Sequence, residues 1–350
     1  MTSPLLELPG AVPPPEESPD PGVAWHHGDP LGEQRAAERG IAVVDRSNRE
    51  IIAVPGEDRL TWLHTITSQH LLALADSEHT EALVLDLRGH VEHHAVVSHV
   101  DGTVWLDTEP GAAQGLLAYL TSMVFWSKVA PRDATAELAV LSLLGPGTDQ
   151  VLAQAGQLGG GFVRVTAGRT DLLVPREQLT QAWQRLVEAG ATPAGTWAYE
   201  ALRVAGLRPR LGIDTDERTI PHEVGWIGTA VHLDKGCYRG QETVARVHNL
   251  GKPPRMLVLV QLDGSTDRPA TGDPLLAGGR TVGRLGTVVD HVDDGPIALA
   301  LLKRGLPADT PLTTGGEAEV AAVIDPDSLP PADVVGAGRL AVEQLRGGGR

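Results

Sequence analysis

The sequence is poorest in cysteine: Cys237 is the single one among its 350 residues. One thiol cannot form an internal disulfide bond. It also cannot build a zinc or iron–sulfur site alone, because such sites need several thiolate or imidazole ligands. Sulfur chemistry in this chain therefore centres on Cys237, and a cluster held there would need ligands from a partner or a second subunit.

Long apolar runs are also missing, since no stretch approaches the roughly 20 apolar residues that cross a membrane. The first 23 residues hold seven prolines and four acidic residues but no lysine or arginine. A secretory signal needs a basic start and an apolar stretch, and a mitochondrial transit peptide needs arginines. We therefore expect a disordered tail over residues 1–23 and a cytoplasmic protein without membrane contact.

Positive charge is scarce, and the formal net charge is −16. Phosphates would be repelled unless a local basic patch intervened, which argues against direct binding of nucleic acid. Among 29 basic residues, lysine occurs at only four positions, and one of them, Lys235, lies beside the cysteine.

Hydrophobic spacing predicts an α+β protein of successive blocks. In the first lobe, about residues 40–135, a helix is predicted over 59–67 and a hairpin over 80–87 and 91–100. The second lobe, about 136–250, alternates strands with helices, and the two lobes form a domain over 24–252. Residues 253–325 show strands without helices, which is typical of a small β-barrel. We expect a C-terminal segment and flexible tail over 326–350.

The segment around the cysteine is the most informative one. Gly236 and Gly240 let the backbone bend and let another group approach closely. Lys235 and Arg239 bring positive charge near the thiol, and a nearby cation favours the reactive, metal-binding thiolate. A buried and inert cysteine is the alternative, since free cysteines commonly lie in protein cores. The segment consists of Lys235, Gly236, Cys237, Tyr238, Arg239, Gly240, Gln241 and Glu242, with Arg246 following on.

Three neighbours of the cysteine have side chains suited to a planar ligand. Tyr238 offers a flat ring with a polar tip. Gln241 and Glu242 are predicted either to hydrogen-bond a heterocycle or to anchor the loop.

This segment resembles the signature of the YgfZ proteins. That signature reads Lys-Gly-Cys, an aromatic residue, any residue and Gly-Gln-Glu, with an arginine four residues after the glutamate, and every fixed position is matched. Similar blocks appear at 45–46, 54–58, 88–89, 144–146 and 202–206, so the resemblance covers roughly residues 40 to 305.

The resemblance implies the fold of the T-protein of the glycine cleavage system, an aminomethyltransferase. Three lobes would surround a central channel that binds tetrahydrofolate or a one-carbon derivative of it. The resemblance also implies a role in assembly or repair of iron–sulfur client enzymes, including one that methylthiolates tRNA. The motif cysteine is needed for that role in the family, which makes Cys237, with Lys235, the catalytic candidate.

Two departures from the T-protein pattern argue against aminomethyl transfer. His93 and His94 stand where paired aspartates are expected, and Val204 stands where a carboxylate would hold the pterin. A site without a needed polar group loses discrimination sharply. The two histidines would face opposite sides of a strand, so we expect no metal site. The candidates for folate binding are Arg203, Glu223, Trp226, His93 and His94.

Three functions are compatible with the sequence. The first is a folate-dependent accessory protein for iron–sulfur enzymes. The second is a one-carbon transferase of the T-protein kind, and the third is a non-catalytic scaffold with a vestigial folate pocket.

Overall fold

The computed structural model describes residues 1–156, 158–166 and 168–330. Most of the predicted C-terminal tail, from residue 331 onward, lies outside these residues. In the described part of the chain, no helix has the length and apolar character needed to cross a membrane.

Helices and strands are mixed from Pro30 to Leu250, and six strands follow without an α-helix between them from Arg255 to Ile324. The α-helices are α1 (Pro30–Arg39), α2 (Arg59–Ile66), α3 (Ala113–Ser122), α4 (Thr148–Ala155), α5 (Leu179–Glu188), α6 (Thr196–Ala205) and α7 (Gln241–Leu250). The strands are β1 (Ala42–Asp45), β2 (Glu50–Pro55), β3 (His79–Leu85), β4 (Val91–Val100), β5 (Thr103–Thr108), β6 (Arg132–Asp133), β7 (Leu138–Leu144), β8 (Phe162–Thr166), β9 (Arg169–Pro175), β10 (Thr192–Ala194), β11 (Arg255–Leu262), β12 (Pro274–Ala277), β13 (Arg280–His291), β14 (Gly295–Lys303), β15 (Leu312–Thr314) and β16 (Ala321–Ile324).

The first lobe is an antiparallel sheet in the order β3-β4-β5-β2-β6, with α2 and α3 on one face. The predicted helix and hairpin are both confirmed, and the hairpin turn carries Gly89 at a φ of +84°. Side chains of Leu63 and Leu116 on the helices pack against Ile52 and Val97 of the sheet. The period-2 pattern of the strands thus buries one face under the helices.

The second lobe is a sheet in the order β10-β1-β7-β9-β8. Strand β1 lies between β10 and β7, pairing parallel with the former and antiparallel with the latter. The sequence predicts this stretch in the first lobe, and that boundary is wrong. The four residues of β1 are all buried, and the apolar run of Ala42, Val43 and Val44 fits a central strand without indicating which sheet it joins.

The third lobe is a closed barrel in the order β11-β14-β13-β12-β15-β16, which confirms the all-β prediction for this block. Its apolar interior includes Val258, Leu285 and Leu302. On its outer side, Leu259 and Ile297 pack against α6. The barrel is therefore attached to the second lobe by an apolar contact.

The N-terminal segment 1–23 is not a disordered tail, which corrects the sequence-based expectation. Leu5 is 1% exposed and packs into the core of the second lobe. The carboxylate of Asp20 accepts from the guanidinium of Arg210 at 2.6 Å and from the amide of Asn48 at 3.0 Å. The acidic and proline-rich composition suggested disorder, but these distant partners hold the segment in place.

We expect Asp20→Asn to lower the free energy of unfolding by about 2 kcal/mol. The value is below the roughly 3–5 kcal/mol of a fully broken buried pair, because Arg210 keeps other carboxylates. Urea denaturation measures the change, with the exposed Glu17→Gln as a control in the same segment. Equal stability of both variants and the wild type would mean that the segment is not docked.

Candidate functional site

A central cavity of about 190 Å³ lies where the first lobe, the second lobe and α6 meet. Three sequence-predicted folate candidates line it, namely His94, Arg203 and Trp226. Arginine is the commonest residue type in its wall. The other lining residues include Arg46, Arg49, Glu81, Glu109, Arg169, Tyr199, Arg208, Arg210 and Thr229.

His94 and Trp226 form a stacked pair in the cavity wall. Their ring centroids are 5.0 Å apart and their planes differ by 9°. The Nε2 of His94 lies 2.9 Å from the carboxylate of Glu81, on the neighbouring strand β3. Burial alone would raise the pKa of Glu81, but the hydrogen bond and charge of His94 lower it overall. The wall thus offers an aromatic pair beside a carboxylate that accepts a hydrogen bond from one of its two rings.

Arg203 lines the cavity, but its hydrogen-bond donors are occupied. It donates to both carboxylate oxygens of Glu200 at 3.0 and 2.6 Å, and to Asp214 at 2.7 Å. It also donates to the hydroxyl of Thr287 on β13 and to the carbonyl of Arg208. The predicted role of Arg203 in folate binding does not fit this geometry, because its donors connect α6 to the barrel.

Two other folate candidates lie away from the cavity. The carboxylate of Glu223 accepts from the guanidinium of Arg255 on β11 at 2.8 and 2.9 Å. His93 points to the opposite side of β4 from His94, as predicted, and lies near Gly115 on α3. Burial lowers the pKa of His93. Val204 is fully buried between α6 and the barrel.

Arg46 and Tyr199 are cavity residues that the sequence analysis did not select. The guanidinium carbon of Arg46 lies 3.8 Å from the centroid of the Tyr199 ring. Arg46 belongs to a run of five polar residues, 45–49, directly after a buried strand, and all five are buried. A polar run next to a buried strand is the signal that could have pointed to Arg46, because buried polar residues need specific partners.

The motif segment lies against the first lobe, and Lys235 is its main anchor. The Nζ of Lys235 donates to the carbonyls of His64, Thr67 and Gln69, at the C-terminal end of α2. The same Nζ lies 4.9 Å from the centroid of the Tyr238 ring. Burial lowers the pKa of Lys235 to about 8. Lys235 therefore caps the C-terminal end of α2. This role is structural, whereas the sequence predicts a catalytic one.

Arg239 joins the loop to the β3–β4 hairpin. It donates to the carbonyl of Leu85 and to the carboxylate of Glu92. Gln241 accepts from the backbone amide of Tyr238 at 3.2 Å, a contact within the loop itself.

Gly240 has a φ of +82°, and a Cβ there would lie 2.5 Å from the carbonyl oxygen of Asp86 in the hairpin turn. Only glycine allows this approach. The ring of Tyr238 is turned inward, and burial raises its pKa to about 12.

The thiol of Cys237 is exposed to solvent on this anchored loop. Gly236, Glu242 and Arg246 are exposed beside it. Cys237 is therefore not a core residue, which corrects the alternative of a buried cysteine. In the described ranges, no group of histidine, cysteine and carboxylate side chains is arranged to hold a metal ion.

Comparison with known proteins agrees with this architecture. Residues 255–330 match the family model described as the CAF17, C-terminal beta-barrel domain. The fold is similar to the crystal structure of glycine cleavage system aminomethyltransferase T from Bartonella henselae, with a TM-score of 0.78 and 18% identity over 91% of this chain and 94% of that one. The predicted three-lobed T-protein fold is thus confirmed.

Relatives by sequence give the same picture. An Arabidopsis thaliana protein named as a chloroplastic transferase is 25% identical over 71% of this chain and 62% of its own length, less than two thirds. Aminomethyltransferases of Herpetosiphon aurantiacus and Rubrobacter xylanophilus are 25% and 32% identical, over 67% and 53% of this chain and 70% and 53% of their own. The chain is therefore aminomethyltransferase-like.

We expect Lys235→Met to lower the free energy of unfolding by about 2 kcal/mol. Three carbonyls would lose a charged donor, and such hydrogen bonds contribute roughly 1.5–3 kcal/mol. The neighbouring Cys237→Ala should change it by less than about 0.5 kcal/mol, because the thiol is exposed. Urea denaturation compares the two variants, and a stable Lys235→Met protein would contradict the capping role.

Proposed function

We propose that this chain is a tetrahydrofolate-binding accessory protein for the assembly or repair of iron–sulfur enzymes, with Cys237 as its reactive group. The exposed thiol on a firmly anchored loop carries the proposal. Lys235 and Arg239 bond to the first lobe, and Gln241 bonds to Tyr238 within the loop, so the position of the thiol is fixed from both sides.

Such a thiol acts on something that approaches from outside. A lone thiolate supplies one ligand to iron, and the remaining ligands come from the client enzyme. The resemblance of the motif to the YgfZ signature supports this class of client.

The folate part of the proposal draws on the central cavity. The stacked rings of His94 and Trp226 offer an apolar face for a planar ligand. The cavity of about 190 Å³ is smaller than the roughly 300–1,000 Å³ of pockets that enclose a drug-sized ligand, so part of the folate would extend outside it. The T-protein-like fold supports a folate ligand in this place.

Aminomethyl transfer fits the cavity less well. The carboxylates that line it, Glu81 and Glu109, are bonded to His94 and to the guanidinium groups of Arg49 and Arg210. Position 204 is a valine and lies outside the cavity. Both oxygens of Glu109 are engaged by arginines, and Glu81 is left with one oxygen that is unbonded in the described residues.

We expect Cys237→Ala to abolish function in a host strain that lacks its own homologous protein. The readout is the activity and cluster content of a tRNA-methylthiolating iron–sulfur enzyme purified without oxygen. Cys237→Ser tests the need for sulfur at nearly constant shape, and Asn249→Ala is a control on the exposed part of α7. Full activity with Cys237→Ala would remove the cysteine from the mechanism.

We expect tetrahydrofolate to bind the purified protein in calorimetry under anaerobic conditions. Trp226→Leu should weaken binding about tenfold, since the loss of an aromatic stack costs about 1.4 kcal/mol. Trp126→Leu is the matched control, because Trp126 is 94% exposed and does not line the cavity. Absence of any folate binding, with client binding intact, would favour a scaffold with a vestigial pocket.

A one-carbon transferase is the second candidate, favoured by the aminomethyltransferases among the relatives. It predicts formation of methylenetetrahydrofolate from an aminomethyl group on a lipoyl carrier. Turnover that survives Cys237→Ala would move the function to this class.

A further inference from the structure

Four arginines in the wall of the central cavity form ion pairs with carboxylates, and Arg46 forms none in the described residues. Arg49 is bound to Asp107 and Glu109, and Arg169 to Asp171. The other paired arginines of the wall are Arg203, with Glu200 and Asp214, and Arg210, with Asp20, Glu109 and Glu200. A buried charge that lacks a partner is costly, which explains why the network is so complete.

Arg46 is the exception. It is 3% exposed, and within the described ranges its guanidinium has no ion pair and no side-chain hydrogen bond. Its contact is the face of the Tyr199 ring, 3.8 Å away at the centroid. Burial lowers the pKa of Arg46, and the charge of Arg49 adds to the lowering, while Tyr199 and Glu109 oppose it. In contrast, the ion pairs of Arg49 and Arg203 outweigh burial and raise their pKa values.

The nitrogen atoms of Arg46 face the cavity. Arg46 lines it, and none of its nitrogens is among the sealed and unbonded polar atoms of the described residues, which include one nitrogen each of Arg164 and Arg208. A planar guanidinium held flat against a ring keeps its edge free for two parallel hydrogen bonds to a carboxylate. The stack on Tyr199 fixes the direction of that edge.

The rest of the wall favours an anion over a neutral heterocycle at this end of the cavity. A pterin ring donates N–H groups and needs carboxylate acceptors, but both oxygens of Glu109 are already bonded and Glu81 has one oxygen bonded to His94. Arg46 offers guanidinium donors that have no carboxylate within bonding distance in the described residues. The cavity also has room for only one end of a folate.

We propose that Arg46, backed by Tyr199, binds a carboxylate of the ligand, so that an aromatic carboxylate enters the central cavity with its acidic end first. The inference rests on the proposed folate binding and gives the ligand an orientation. In a folate, the p-aminobenzoylglutamate part would occupy the cavity and the pterin would lie towards the opening.

The test uses p-aminobenzoylglutamate as the probe, in calorimetry with the full chain. We expect it to bind the wild type and to bind Arg46→Gln at least tenfold more weakly. Arg46→Lys keeps the charge without the planar fork and should restore part of the affinity. Arg39→Gln is the control, since Arg39 is exposed and remote from the cavity. Equal binding by the wild type and Arg46→Gln would overturn the proposal.

A second measurement needs no variant, in case Arg46→Gln does not fold. The uncharged diamide of p-aminobenzoylglutamate should bind the wild type at least tenfold more weakly than the dicarboxylate, and equal binding would overturn the proposal. A tetrahydropterin without carboxylates should not displace the dicarboxylate. Inorganic phosphate should compete only weakly, and phosphate binding without binding of the dicarboxylate would also overturn it.

The outcomes separate this inference from the proposed function. Binding of p-aminobenzoylglutamate through Arg46 without binding of tetrahydrofolate would refute the folate proposal and leave the anion site in place. Binding of tetrahydrofolate that is indifferent to Arg46→Gln and to the loss of the carboxylates would do the reverse.

Discussion

A buried chain of arginine–carboxylate pairs holds the two sheets together, and the cavity depends on it. Asp107 on β5 accepts from Arg49 and from Arg164 on β8, and Asp171 on β9 accepts from Arg164 at 3.0 Å. Each carboxylate is fully buried, so the loss of one partner would leave a charge without compensation. The network therefore restricts how the first lobe sits on the second, beside an apolar contact between Ile51 and Leu173.

The same network determines the character of the cavity. Pairing engages both oxygens of Glu109 and one of Glu81, and the guanidinium of Arg46 has no carboxylate within bonding distance in the described residues. The N-terminal segment takes part through Asp20, whose pair with Arg210 closes one side of the network. The segment that the sequence predicts to be disordered thus contributes a carboxylate to the ion pairs around the site.

Local patterns in the sequence predicted the elements that depend on local physics. The β3–β4 hairpin and the strands of the barrel follow from alternation and turn residues. Features that depend on distant partners were missed. Asp20 and Arg210 are 190 positions apart, and β1 joins a sheet whose other strands follow 90 or more residues later. In the site, the exposure of Cys237 could not be read from its neighbours, and the carbonyl partners of Lys235 lie over 160 residues away.

On the proposed function, the cavity and the thiol are coupled through shared side chains. Trp226 stacks on His94 in the cavity and also packs in the apolar cluster that lies under Tyr238 of the motif loop. Strand β4 carries both His94 and Glu92, the carboxylate that pairs with Arg239 of the loop. A ligand that binds only the ordered cavity stabilises these contacts by mass action. The thiol would then be presented most firmly when the cavity is occupied, and by linkage a client bound at Cys237 would strengthen ligand binding.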